Sequence, residues 1–77
     1  MEDIFTRVRA VTARILRIDA GKIDLNSRFR ADLGADSINL IEIAMAIEQE
    51  LDITLDDDEV AGIVTVRDAV RYIEKHV

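Results

Sequence analysis

The sequence predicts an all-α domain of four helices, with a long loop between the first and second and a short third helix. Three observations carry that expectation. Apolar residues recur at helical spacing in three stretches. The chain has no Pro and only three Gly. Its aromatics are few (Phe5, Phe29 and Tyr72), so the interior must be built from Ile, Leu, Val and Ala. The 77 residues suit one small domain, 1–77, rather than two. A domain of this size buries a modest fraction of its surface and is marginally stable.

The first helix is expected from Asp3 to Leu16 or Ile18. Ile4, Val8, Val11 and Ile15 give its apolar stripe, and Asp3 can cap its start. Asp19-Ala20-Gly21 reads as its end. From Asp19 to Asp36 no period is sustained, and Gly21, Asp24, Asn26, Ser27 and Gly34 punctuate the stretch. Loops this long are uncommon in compact domains unless functional or disordered. Ile23, Leu25, Phe29 and Leu33 should pin this one to the core. The second helix should start at Asp36 or Ser37 and end near Leu51. A short third helix fits Asp56 to Gly62, where Asp56 and Glu59 make an Asp-headed variant of the capping box. Acids in that first turn suit the positive end of the helix dipole. The last helix should follow a Thr65 cap and reach about His76, burying Val66, Ala69, Val70, Ile73 and Val77.

Charge is unevenly spread. The formal net charge is −6. Seven basic residues precede position 31 (Arg7, Arg9, Arg14, Arg17, Lys22, Arg28, Arg30), and Arg67, Arg71 and Lys75 lie near the end. Between Ala31 and Val66 there is no Lys or Arg but there are ten acids: Asp32, Asp36, Glu42, Glu48, Glu50, Asp52, Asp56, Asp57, Asp58 and Glu59. Such a block repels itself and lowers stability. It reads either as a solvated face or as a docking surface for basic partners. Nucleic acid and anionic membrane are poor partners, since both need clustered cations. No apolar run is long enough to span a bilayer, and Met1-Glu2-Asp3 does not resemble a signal peptide. A soluble cytoplasmic protein, or a processed organellar one, is therefore expected, and a monomer. Without Cys there is no disulfide framework and no Cys-ligated metal site.

The second helix carries two apolar stripes. At ~100° per residue, Leu40, Ile43, Ala44, Ile47 and Leu51 fall on one core-sized face. Ile38, Ile41 and Met45 fall on another, rimmed by Glu42, Glu48 and Gln49. An apolar strip bordered by acids suits protein docking. A central helix with neighbours on two sides would bury both stripes. The pattern admits either.

Ser37 follows Asp36 at the expected start of this helix. Capping alone accounts for Asp and Ser at such a position. The run Leu33-Gly34-Ala35-Asp36-Ser37-Ile38, however, resembles the phosphopantetheine attachment motif of acyl carrier proteins, which usually ends Asp-Ser-Leu. The likeness continues through Ile41-Glu42, Met45-Ala46-Ile47-Glu48, the acidic third-helix start, Thr65-Val66 and Tyr72-Ile73, so it covers essentially the whole chain. It implies a four-helix acyl-carrier-like bundle with a 4′-phosphopantetheine arm, taken from coenzyme A by a phosphopantetheinyl transferase, on Ser37. The arm's thiol would hold acyl groups as thioesters for partner enzymes of fatty acid or related biosynthesis, and the protein would supply position and recognition. Gly34 would permit a backbone conformation closed to other residues. By the same resemblance Asp36, Ile38, Ile41, Glu42, Met45 and Glu48 match the family's partner-facing helix. Asp57, Asp58 and Glu59 extend that acidic surface toward basic-surfaced synthases and transferases. Leu40, Ile43, Ile47, Leu51, Leu55, Ile63 and Tyr72 would line the interior that shelters acyl chains.

There are departures from the family pattern. Ile38 replaces Leu, Asn39 stands where an acid is common, and Asp56 stands where Pro is common. Ala61 and Gly62 replace longer polar residues, and the first helix carries four Arg. These leave a pathway-specific carrier open. An enzyme is disfavoured by inventory, because there is no Cys, the lone His76 is terminal, and Ser37 has no sequence-evident His or Lys partner. A calcium site is disfavoured because Asp56-Asp57-Asp58-Glu59 lacks the loop spacing and the sixth-position Gly. A non-catalytic acidic helical adaptor and a stand-alone peptidyl carrier protein remain as alternatives.

Overall fold

Among the described residues, four side chains start four α-helices. The computed structural model describes residues 3–77. The Asp3 carboxylate accepts the Thr6 N–H at 2.8 Å and opens α1 (Ile4–Leu16). Asp36 opens α2 (Ser37–Leu51), Asp56 opens α3 (Asp57–Ala61) and Thr65 opens α4 (Val66–Glu74). Each cap satisfies a first-turn N–H that has no partner within its helix.

The helix ends depart more from expectation than the starts. α1 stops because Arg17 turns left-handed (φ 57°), and the Ile18 N–H closes back on the Ala13 carbonyl at 3.1 Å. Asp19-Ala20-Gly21 is therefore not the end of α1. It begins a separate 3₁₀ turn, Ala20–Lys22, in which the Asp19 carboxylate accepts the Gly21 N–H at 2.8 Å. α2 ends in the same way, with Asp52 at φ 55° and Ile53 N–H bonded to Glu48 O. α4 stops at Glu74, and the Lys75 and His76 N–H groups make tighter bonds to Tyr72 O and Ile73 O. Val77 lies beyond the helix and is exposed, so it does not join the buried stripe.

The loop between α1 and α2 is ordered by two devices. Ile23 and Phe29 are buried in the core, and Leu25 and Leu33 pack against it. The loop backbone also pairs with the α3–α4 connection. Phe29 N–H donates to Val64 O, Val66 N–H to Ser27 O and Arg67 N–H to Leu25 O, all within 3.0 Å. Arg28 and Thr65 form an isolated antiparallel bridge there.

The core joins Val8 and Val11 of α1, Leu40, Ile43, Ala44 and Ile47 of α2, Val60 of α3, and Val66, Ala69, Val70 and Ile73 of α4. α1 packs on α2 and α4, while α3 packs on α2. Thr12 is also fully buried, and its hydroxyl has no hydrogen-bond partner among the described residues. Two basic residues of α1, Arg7 and Arg14, reach Glu50 near the end of α2.

Candidate functional site

The approach to α2 is shaped residue by residue. Gly34 sits at φ +73°, and open space surrounds the position a Cβ would take. Glycine is needed here for backbone conformation, not for room. Ala35 is then buried, with its N–H bonded to Phe29 O at 2.8 Å, and this fixes where the helix begins. The Asp36 carboxylate accepts the Asn39 N–H at 2.8 Å, and the Asn39 side chain accepts the Asp36 N–H at 3.0 Å. This is a complete capping box. Asn39, which the sequence offers only as a missing acid, closes it.

Ser37 is the first residue of α2 and is exposed. Its hydroxyl oxygen accepts a hydrogen bond from Arg30 Nη2 at 3.0 Å. Sequence reasoning missed Arg30 as a member of this site. Its one signal was its place as the last cation before the acidic block.

On α2 the second stripe divides. Ile38 is 71 % exposed and Met45 53 % exposed, whereas Ile41 is half-buried and packs against the core. Glu42 is exposed, with Asn39 Nδ2 at 3.5 Å. Glu48 differs from the free rim acid expected of it. It is half-buried, and its carboxylate accepts the Leu55 N–H at 2.8 Å, so it holds the α2–α3 connection. Asp57, Asp58 and Glu59 are exposed in the first turn of α3.

The start of α3 corrects a second expectation. Asp56 accepts the Asp58 and Glu59 N–H groups, but its own N–H does not go to Glu59. It donates instead to the Tyr72 hydroxyl at 2.8 Å. Tyr72 thus reaches from α4 to tether α3. Burial raises the Tyr72 phenol above its ordinary range; its bond from Asp56 N–H opposes that shift, and the Glu59 and Asp56 carboxylates add to it.

Behind this surface lies an apolar cleft of about 30 Å³. Leu40, Ile43, Ile47, Leu55, Ile63 and Tyr72 line it. Leu51 does not line it and packs half-buried at the end of α2 instead. Phe29 and Val60, not foreseen, take part. A space of this size is on the scale of a water molecule or two, so any acyl chain must part the helices to enter.

A family model described as the phosphopantetheine attachment site matches residues 6–73. An acyl carrier protein of Treponema pallidum is 43% identical over 77 residues, covering 100% of this chain and 99% of the relative. The chain belongs to the acyl carrier protein family. A second relative, the acyl carrier protein of Phaeodactylum tricornutum, is 40% identical over 76 residues, with 99% of this chain and 100% of that one covered. Among solved structures, a Mycobacterium tuberculosis protein provisionally named an acyl carrier protein superposes with a TM-score of 0.85 at 32% identity. That likeness covers 94% of this chain and 96% of the other. The all-helical, four-helix architecture is thus that of the family.

The family's cofactor is 4′-phosphopantetheine. The start of α2 fits a phosphate ester. An exposed hydroxyl stands on the first turn of a 15-residue helix, whose N-terminus favours negative charge, with a guanidinium at hydrogen-bond distance.

Proposed function

We propose that the chain carries acyl groups on a phosphopantetheine arm attached to Ser37, as a substrate of other enzymes and not as a catalyst. The exposed hydroxyl on the first turn of α2 carries this reading, because it lies in the Asp36-Ser37-Ile38 run within the span matched by the attachment family. The arm, when bound, supplies a thiol that holds acyl groups as thioesters. The chain's own part is to keep the Ser37 hydroxyl accessible, which the capping box, Gly34 and buried Ala35 do together. It also offers partners a surface made of Asp36, Ile38, Glu42, Met45 and the α3 acids, with Ile41 at its edge.

The partners on this reading are a phosphopantetheinyl transferase and basic-surfaced enzymes of fatty acid or related acyl biosynthesis, served by a single carrier domain. Opposed charge would speed their encounter. The test is incubation of the apo protein with coenzyme A and a broad-specificity transferase. The intact mass should rise by one phosphopantetheine, and Ser37→Ala should abolish the gain. Labelling of another residue, or of none, overturns the proposal.

A further inference from the structure

Arg28 and Arg30 flank Phe29 in the loop before α2, yet their charges are used differently. Arg28 is bound to its neighbour Asp32, with Nε and Nη2 each 3.1 Å from a carboxylate oxygen. Among the described residues, no carboxylate lies within ion-pair distance of Arg30, and its guanidinium rests on Ser37 Oγ. Arg30 is also the last cation before the stretch that runs to Val66 without Lys or Arg. A phosphate on Ser37 would sit beside the exposed Asp36 carboxylate, with no other basic side chain hydrogen-bonded there among the described residues. That phosphate needs a counter-charge, and Arg30 is already in place.

Arg30 also lines a second cleft, of about 280 Å³, between this loop and the α3–α4 connection. Its walls include Ala31, Ala61, Gly62, Ile63 and Val64. Small side chains at 61 and 62 leave the cleft open.

We propose that Arg30 is a positioning residue for the arm: its guanidinium pairs with the phosphodiester on Ser37 and turns the pantetheine into the cleft beside Ala61, Ile63 and Val64. Guanidinium is suited to this, because its planar fork meets phosphate oxygens in pairs. The inference rests on attachment at Ser37, and the test separates the two.

Wild type, Arg30→Ala and Arg30→Lys are loaded from coenzyme A with excess transferase, and intact mass and peptide mapping establish the arm on Ser37. Three NMR readouts follow. The phosphorus resonance of the loaded wild type should differ from that of Arg30→Ala, with Arg30→Lys between them, and added salt should shrink the difference. The Arg30 Nε–H signal of the wild type should shift between the unloaded and loaded forms. Cross-peaks should join the arm's geminal methyl groups to the methyls of Ala61, Ile63 or Val64, and Arg30→Ala should lose them. If the wild type gains no arm at Ser37, attachment fails and the clamp with it. If the arm is on Ser37 but the Arg30 signal is unmoved by loading, the clamp is overturned while attachment stands. Loaded wild type without the methyl cross-peaks overturns the seating in the cleft.

Discussion

α2 and α3 lie side by side and both begin at an Asp cap, but they are held in different ways. α2 is 15 residues long, closes its own capping box through Asn39, and buries Leu40, Ile43, Ala44 and Ile47. α3 has five residues and buries only Val60. So short a helix is marginal by itself. It is held from outside, by the Tyr72 hydroxyl on Asp56 N–H and by the Glu48 carboxylate on Leu55 N–H. Leu55, Val60 and Ile63 also line one side of the 30 Å³ cleft. On the function proposed above, an acyl chain would enter on the α3 side. α2 is anchored by its own buried stripe, whereas α3 is anchored by Val60 and by two hydrogen bonds at its approach, so α3 is the wall expected to yield first.

The largest test of this contrast removes core from α2. Ile47 is 1 % exposed, and Ile47→Ala should cost about 2–5 kcal/mol by chemical denaturation, as for other buried aliphatic truncations. Ile41→Ala, at a half-buried site on the other stripe, should cost distinctly less. Equal losses would make that stripe core and confine the partner surface to Ser37, Ile38, Met45 and the exposed acids.

Next in size are the tethers. Tyr72→Phe leaves the Asp56 N–H without its acceptor and should cost about 0.5–1.5 kcal/mol. Amide exchange should quicken in α3 while α2 stays protected. Uniform loosening of both helices would show that α3 is not a separate unit. The pH dependence gives the same contrast without mutation. The Tyr72 phenol holds its proton more tightly in the folded state, so its contribution is intact below the ordinary tyrosine range. It is lost as pH rises from there through the raised folded value. An alkaline melt should lose stability in the wild type and lose less in Tyr72→Phe, and identical alkaline slopes would remove Tyr72 from the account. At the acid end the sign reverses. The Thr65 N–H holds the Asp68 carboxyl below its usual range, and that support of α4 disappears as pH falls through the lowered value.

The smallest expected effect is ionic. Arg7 and Arg14 of α1 compensate Glu50, whereas Asp57 and Asp58 pair with no Lys or Arg among the described residues. Added salt and millimolar magnesium should therefore raise the melting temperature at neutral pH, with the gain concentrated around α3. A flat or falling melting temperature would mean that α1 already balances the acidic block.

Much was legible from residues alone. Asp3, Asp36, Asp56 and Thr65 cap their helices because a short acceptor beside free N–H groups is a local device. The inward stripe of α2 reads correctly because helical periodicity is also local. Leu40, Ile43 and Ile47 of the cleft lining lie on that stripe, whereas Leu55, Ile63 and Tyr72 were implied only by the family resemblance; Leu51, on the same stripe, lies at the helix end and outside the lining. The left-handed ends at Arg17 and Asp52 were not legible, since neither is the glycine that usually marks them. Long-range partners could not be read at all. Tyr72 meets Asp56 across sixteen positions and Glu48 meets Leu55 across seven, with no period linking either pair. Residues near one another along the chain dictate four capped helices, their buried faces and a Ser at the head of α2. Only the tertiary structure brought Arg30 onto that Ser, turned Glu48 inward and hung α3 from Tyr72. Caps and stripes depend on neighbours along the chain, whereas those contacts depend on how the loop and helices fold back on one another.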